Sequence, residues 1–224
     1  MLYHNICALR ARYIISLISC FAHGISCASS LPPEALYVHY EHGAHEAELA
    51  SIAATVRAQF STHAAHDQQV VIFDVDDVAL SCYPFFKDII QNGHVWEEFL
   101  QSPNSLDIYH EFLHRAQLPA FTPLLQLYQH FISLGYKIIF LTSRKYDIYD
   151  LTLQNLHSAG YIGFERLIMR SEEDIKIRGG RFKERARTAL VKEGYEIVCT
   201  IDDAEANLQG AYVGHAVKIP NYLF

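Results

Sequence analysis

Val70-Val71-Ile72-Phe73-Asp74-Val75-Asp76-Asp77 is the stretch whose reading decides the fold. Three β-branched residues and one aromatic run without a polar break into carboxylates at 74, 76 and 77. An unbroken apolar run of this kind suits a strand buried on both faces of a parallel sheet. The carboxyl end of such a strand is where open α/β sheets bind their ligands, and the three Asp fall there. Clustered carboxylates repel one another unless something positive joins them. A hard divalent cation takes oxygen ligands, and Mg²⁺ usually comes with phosphate. The plainer alternative is a strand followed by a polar turn in which Asp acts as a cap.

Working outward, two further runs have the same character. Tyr136 to Thr142 leads into Thr142-Ser143-Arg144, and Glu196 to Ile201 leads into Asp202-Asp203. Each follows a helical pattern. Thr122-Pro123 starts the first helix, with Thr as cap and Pro in the first turn; Leu124, Leu127, Tyr128, Phe131 and Leu134 form its apolar face and Gly135 ends it. Phe182 to Glu193 is the second, stopped by Gly194, with Lys183 at its start. A helix over Asp147 to Ala159, a short strand over Arg166 to Met169 and a last strand over Ala216 to Ile219 complete the alternation. The pattern predicts an α/β fold: a doubly wound, mostly parallel sheet. Upstream, Leu31-Pro32-Pro33 reads as a linker and Glu41 to Phe60 as one amphipathic helix. The segment from about 83 to 120 has no strand pattern. Tyr83-Pro84-Phe85-Phe86, Trp96, Phe99, Phe112 and Leu113 fit two or three short helices, longer than one crossover requires, so a small helical cap insertion over the carboxylates is expected. No glycine-rich phosphate loop is present, which disfavours a P-loop or dinucleotide-binding fold.

At 224 residues the chain suits one domain, over 31–224, with that insertion. A net charge of −7 argues against non-specific nucleic-acid binding. The 13 His are scattered without a zinc spacing to Cys, and His42 and His45 near a helix start read as surface residues. Residues 1–30 look like a leader. No acid precedes Glu34, and Arg10 and Arg12 are followed by an apolar run over Tyr13 to Ala22, too short to span a bilayer comfortably. Leu17-Ile18-Ser19-Cys20 resembles a bacterial lipoprotein box, which would lipidate Cys20 and give a periplasmic or outer-membrane-anchored protein. Ser26-Cys27-Ala28 resembles a small-x-small cleavage site, which would release a secreted or lumenal chain from about Ser29. A mitochondrial transit peptide is the third reading. Three of the five Cys lie in this leader; Cys82 and Cys199, as free thiols or a single bridge, make no disulfide framework.

Asp74-x-Asp76-Asp77, Thr142-Ser143-Arg144, Lys183 and Asp202-Asp203 thus stand at equivalent strand ends or beside them. With Thr152-Leu153-Gln154-Asn155-Leu156, Lys192-Glu193-Gly194-Tyr195 and Lys218-Ile219-Pro220-Asn221, they carry a resemblance. From about Val70 to the C-terminus the chain resembles phosphatases of the haloacid dehalogenase (HAD) superfamily. It is most similar to the acid phosphatases of bacterial class B and C type and the related plant vegetative storage proteins.

The resemblance implies a HAD-like fold and a Mg²⁺-dependent hydrolysis of small phosphomonoesters. Asp74 would be the nucleophile that forms an aspartyl-phosphate, and Asp76 the general acid and then base, its pKa raised by its neighbours. Thr142, Ser143, Arg144 and Lys183 would bind the substrate phosphate. Asp74, the Asp76 backbone carbonyl and Asp203 would hold Mg²⁺, with Asp202 nearby. Three positions depart from the family pattern: Val78 stands where Thr is usual, Asp77 where Glu is more common, and Asn207 where a second carboxylate is usual. Adjacent Asp202 is expected to take over the role lost at 207. A catalytically faded storage or binding protein on the same fold is the competing reading. A dehalogenase lacks use for the second Asp, and a phosphoacceptor receiver domain does not fit a leader.

Overall fold

Apolar runs become strands and amphipathic runs become helices from residue 33 onward. The computed structural model describes residues 32–61, 64–115 and 117–223. The leader, with Cys20 and both cleavage readings, lies outside them. Helices α1 (Pro33–Glu41) and α2 (Ala44–Gln59) precede strand β1 (Gln69–Phe73). Three short helices follow: α3 (Tyr83–Gln91), α4 (Trp96–Leu100) and α5 (Ser105–Arg115). The remainder alternates: α6 (Thr122–Ser133), β2 (Lys137–Lys145), α7 (Tyr149–Ser158), β3 (Arg166–Arg170), α8 (Gly179–Lys192), β4 (Glu196–Asp202) and β5 (His215–Lys218).

The five strands form one parallel sheet in the order β3-β2-β1-β4-β5. The unbroken apolar run follows from burial on both faces. Val71, Phe73, Ile138, Phe140 and Ile201 pack with Leu49 and Val56 of α2 and Leu124, Leu127 and Phe131 of α6. Val70, Ile72, Ile139, Leu141 and Ile197 pack with Phe182 and Leu190 of α8. Each such side chain contributes about 1.5–3 kcal/mol by leaving water. Phe73 pairs with Phe140 on one side and Ile201 on the other, so Asp74 and Asp202 leave the sheet level with each other. The strand order reverses at β1, which puts these carboxylates at the switch point of the sheet.

Several expectations are corrected. Pro33 is not linker but the first residue of α1, a position where its missing N–H costs nothing. The helix expected over 41–60 begins only at Ala44, after Gly43, whose φ of 80° is readily adopted only without a Cβ, and a separate helix, α1, spans Pro33–Glu41, where none was expected. Thr122 lies inside α6 and Phe121 is its cap residue. Strand β2 runs on past Thr142 to Lys145, so Arg144 is a strand residue. His45 is 2% exposed rather than a surface residue. Cys82 and Cys199 are both buried free thiols.

Helices α3 to α5 bury an aromatic cluster in which Phe85 meets Trp96, Phe99, Tyr109 and Phe112 at centroid separations of 4.8–5.9 Å. Trp96 Nε1 donates to the Leu223 carbonyl at 2.6 Å, tying this segment to the C-terminus. No helix among the described residues is long and apolar enough to cross a membrane.

Candidate active site

The turn after β1 sets the carboxylates. Asp74 N–H still donates to Ile201 O at 3.0 Å, as a strand residue would. The chain then folds on itself: Leu80 N–H donates to Val75 O and Asp77 N–H to Leu80 O, each at 2.8 Å. Asp77 has φ 51°, a left-handed conformation that Asp tolerates better than most residues. Its Oδ1 accepts the Cys82 N–H at 2.8 Å and its Oδ2 accepts from Asn221 Nδ2 at 3.3 Å. Asp77 is thus the turn cap of the plainer reading, while Asp74 and Asp76 point at cations. Val78 is fully buried in the apolar cluster, where a Thr hydroxyl would have needed a partner.

Asp74 and Asp202 share one ammonium. Lys183 Nζ lies 2.8 Å from Asp74 Oδ2 and 2.6 Å from Asp202 Oδ2, and the Lys183 side chain is 2% exposed. Asp202 Oδ1 accepts from Ala204 N at 2.9 Å and from Asn207 Nδ2 at 2.8 Å. Both Asp202 oxygens are therefore engaged, one of them on Lys183. Asp203 Oδ2 accepts from Asn221 Nδ2 at 2.6 Å. Thr142 is 1% exposed, and its Oγ1 accepts the Arg144 N–H at 3.1 Å, which leaves the hydroxyl proton free to donate.

Asp76 belongs to a different network. Arg144 donates to it from Nε at 2.9 Å and from Nη2 at 2.7 Å, a two-pronged guanidinium–carboxylate pair. Tyr109 OH, from α5, donates to Asp76 Oδ1 at 2.7 Å, and Cys82 Sγ approaches the same oxygen at 3.4 Å. Arg144 Nη1 and Nη2 also donate to Thr152 Oγ1 and Tyr109 OH, both at 3.1 Å. Burial opposes the charge on Asp76, but Arg144, Tyr109 and Cys82 outweigh it and hold the carboxyl below its usual range. The raised pKa expected for Asp76 is therefore wrong: its nearest neighbours are a guanidinium and hydrogen-bond donors, not carboxylates.

The opposite holds for the remaining acids. Burial, then the charges of Asp202 and Asp203, push Asp74 well up, and Lys183 offsets only part of this. Burial, with neighbouring Asp charges, raises both Asp77 and Asp203 to about 7. Asp74 and Asp202 thus share a single ammonium, with Asp203 beside Asp202. Asp74, Asp202 and Asp203 each offer an oxygen within 4.8 Å of the others. An all-oxygen donor set with excess negative charge is the chemistry that fits a hard divalent cation such as Mg²⁺.

The structure brings Asp74, Asp76, Thr142, Arg144, Lys183, Asp202 and Asp203 to one edge of the sheet. Among the described residues no hydrogen bond or ion pair ties Ser143, half-buried between Thr142 and Arg144, to this cluster. Arg144, expected on phosphate, has most of its donors committed to Asp76, Thr152 and Tyr109. Tyr109, Cys82 and Asn221 had no role assigned from sequence. Asn221 stands in a quoted motif and was findable there; Tyr109 looks like any aromatic on a helix.

Comparison with known proteins agrees with this geometry. The family model described as HAD superfamily, subfamily IIIB (acid phosphatase), matches residues 26–224. A stem 28 kDa glycoprotein of Glycine max is 32% identical over 91% of the chain and 79% of its own length. Vegetative storage protein 2 of Arabidopsis thaliana is 34% identical over 69% of the chain and 56% of its own length. The fold is that of the class C acid phosphatase from Bacillus anthracis, with a TM-score of 0.61 at 14% identity, covering 89% of this chain and 73% of that one. With carboxylates and a hydroxyl from three neighbouring strands, an ammonium from α8 and a match over nearly the whole chain, this protein belongs to the HAD superfamily, subfamily IIIB, the acid phosphatases.

Proposed function

We propose that the chain hydrolyses small phosphomonoesters in a Mg²⁺-dependent, two-step reaction. The observation that carries this is the contact of Lys183, from α8, with Asp74 at the end of β1, beside the β2 residue Thr142, with Asp76 two residues past Asp74. Asp74, its carboxylate held by the Val75 N–H and by Lys183, attacks phosphorus through one oxygen as the ester P–O bond breaks and the departing oxygen takes a proton from Asp76. Water, giving a proton back to Asp76, then cleaves the aspartyl-phosphate and releases phosphate. Lys183 and the Thr142 hydroxyl stabilise the phosphoryl oxygens, the kind of positioned charge that supplies most of the rate in phosphoryl transfer. Asp74, Asp203 and the Asp76 backbone carbonyl would hold Mg²⁺. When bound, the ion offsets the charge of the cluster against an anionic substrate and polarises the phosphoryl group. Asp202 orients Lys183 and is in turn held by Asn207, which is how the chain does without a carboxylate at 207. Helices α3 to α5 act as the cap, and Tyr109 brings that cap to Asp76. The leader serves export, which sequencing of the mature N-terminus reads directly.

The Asp76–Arg144 pair defines the acid step. Asp76 must take a proton and leave the guanidinium before it can protonate the departing oxygen. Asp76→Asn is expected to slow substrates with poor leaving groups by about 10²–10⁴ and those with good leaving groups far less. Equal losses for both would mean that Asp76 is not the proton donor.

Metal removal has a signed consequence. Asp77 and Asp203 are raised from 3.8 to about 7 in the folded chain, so the unfolded chain releases these protons first. Their contribution to stability is complete below pH ~4 and is lost as pH rises through ~7. Chelated protein should therefore melt lower at pH 8 than at pH 5, and Mg²⁺ should remove the part of the difference that Asp203 contributes. Calorimetry showing the same slope with and without Mg²⁺ would contradict Asp203 as a ligand, since Asp77, the turn cap, keeps its share of the slope in either case.

The storage reading keeps one point in its favour, the apolar Val78 in place of a hydroxyl. A chromogenic phosphomonoester assayed over a Mg²⁺ titration at several pH values separates the two. The enzyme reading requires turnover that rises with Mg²⁺; no turnover at any pH gives the storage reading.

A further inference from the structure

A second group of ligating side chains lies on the α1–α2 hairpin. His39 is in the last turn of α1, and His45 and Glu48 lie three residues apart in the first turns of α2. One ligand atom from each falls within 4.8 Å of the others. His39 Nε2 is 3.5 Å and His45 Nδ1 is 4.0 Å from the same oxygen, Glu48 Oε2. None of these approaches is a hydrogen bond. Both nitrogens of His45 and Nε2 of His39 are buried without a hydrogen-bond partner. Buried polar atoms in proteins are nearly always paired, so two orphaned imidazole nitrogens, His39 Nε2 and His45 Nδ1, that face one carboxylate call for an explanation.

We propose that His39, His45 and Glu48 form a binding site for a borderline divalent cation of the Zn²⁺ type. Two imidazoles and one carboxylate form a donor set suited to Zn²⁺ rather than Mg²⁺. Metal–ligand bonds of about 2.0–2.1 Å at tetrahedral angles put ligand atoms about 3.3 Å apart. The observed 3.5 and 4.0 Å need only a small contraction. The Glu48 side chain is 41% exposed, which gives the ion an entry and a water its fourth position. Tyr222 OH donates to Glu48 Oε2 at 3.0 Å, the outer hydrogen bond that usually orients a ligating carboxylate. The neighbouring Asn221 holds Asp203 and Asp77. An ion here would pin α1 to α2 and, through Tyr222, steady the C-terminal segment that borders the acidic cluster.

The competing explanation is plain aromatic packing, since Tyr40, Phe121 and Tyr222 surround His45 at 4.4–5.9 Å. The test uses the full chain, stripped with a chelator and held in excess Mg²⁺ so that the oxygen-only cluster is filled. Co²⁺ is then titrated as the spectroscopic probe. One equivalent should bind with the intense visible bands of four-coordinate cobalt, and Zn²⁺ should displace it. His39→Phe, which keeps the ring against Tyr222, and Glu48→Gln should each lose the bands and at least about tenfold in affinity while still folding. Zn²⁺ at a hundredfold excess over its dissociation constant should raise the wild-type melting temperature by about 5–10 °C and leave His39→Phe unmoved. His45→Gln serves as a third variant if it folds. Absence of cobalt bands in the wild type, or equal binding by wild type and His39→Phe, overturns the site and leaves aromatic packing.

Discussion

Asp74→Asn should lose at least about 10⁴ in turnover of any phosphomonoester while keeping its fold, because an amide oxygen is a poor nucleophile toward phosphorus. The effect on stability is the more discriminating half. Asp74 is buried beside Lys183, Asp202 and Asp203, and burial with those like charges pushes its carboxyl well above the usual range. Ionised Asp74 is therefore a cost to the metal-free fold. Asn at this position should leave the melting temperature without Mg²⁺ unchanged or higher, and should lower the gain that Mg²⁺ brings. A variant with near wild-type turnover would remove Asp74 as nucleophile. A variant that unfolds would make Asp74 structural.

Lys183→Met should be the most destabilising single change at this edge of the sheet. Its ammonium is, among the described residues, the one partner that Asp74 and Asp202 share, at 2.8 and 2.6 Å, and all three residues are buried. Removing one member of a buried ion pair leaves uncompensated charge, a loss of about 3–5 kcal/mol. In a chain of this length that is a melting temperature lower by about 6–20 °C. The deficit should shrink in acid, where the abandoned carboxylates can protonate. Turnover should fall by at least about 10³, since the same ammonium faces the phosphoryl oxygens. In the double variant with Asp74→Asn much of the lost stability should return, because the two sites are coupled through one contact. A strictly additive double variant would contradict the shared-ammonium arrangement.

The α/β alternation and the three strand ends that carry the site, two of them with carboxylates, were legible because both rest on local chemistry. A strand buried on both faces has to be apolar throughout, and Gly135, Gly160 and Gly194 stop helices where φ turns positive. The helix start after Gly43 was missed because the apolar spacing of Leu49, Ile52, Val56 and Phe60 lies wholly beyond it and does not mark where the helix begins. The end of β2 was missed because Thr, Ser and Arg look like loop residues until Arg144 finds Asp76. That pair also reversed the pKa expected at Asp76. Spacing in sequence places Asp76 beside two other acids, whereas the fold turns it toward β2 and α5. Tyr109 and the burial of His45 depend on how separate helices dock, which no single segment encodes. Asn207 was read as a loss; in the fold its amide holds the carboxylate of Asp202.

The central claim is that phosphate passes through a covalent bond to Asp74. The direct measurement is rapid mixing of the Mg²⁺-loaded protein with a phosphomonoester bearing a good leaving group, acid quenching within one turnover, and peptide mapping by mass spectrometry. The account predicts one added phosphoryl group on the peptide containing Asp74, absent from Asp74→Asn. Steady turnover with no labelled peptide, or with the phosphoryl group on another residue, would contradict it.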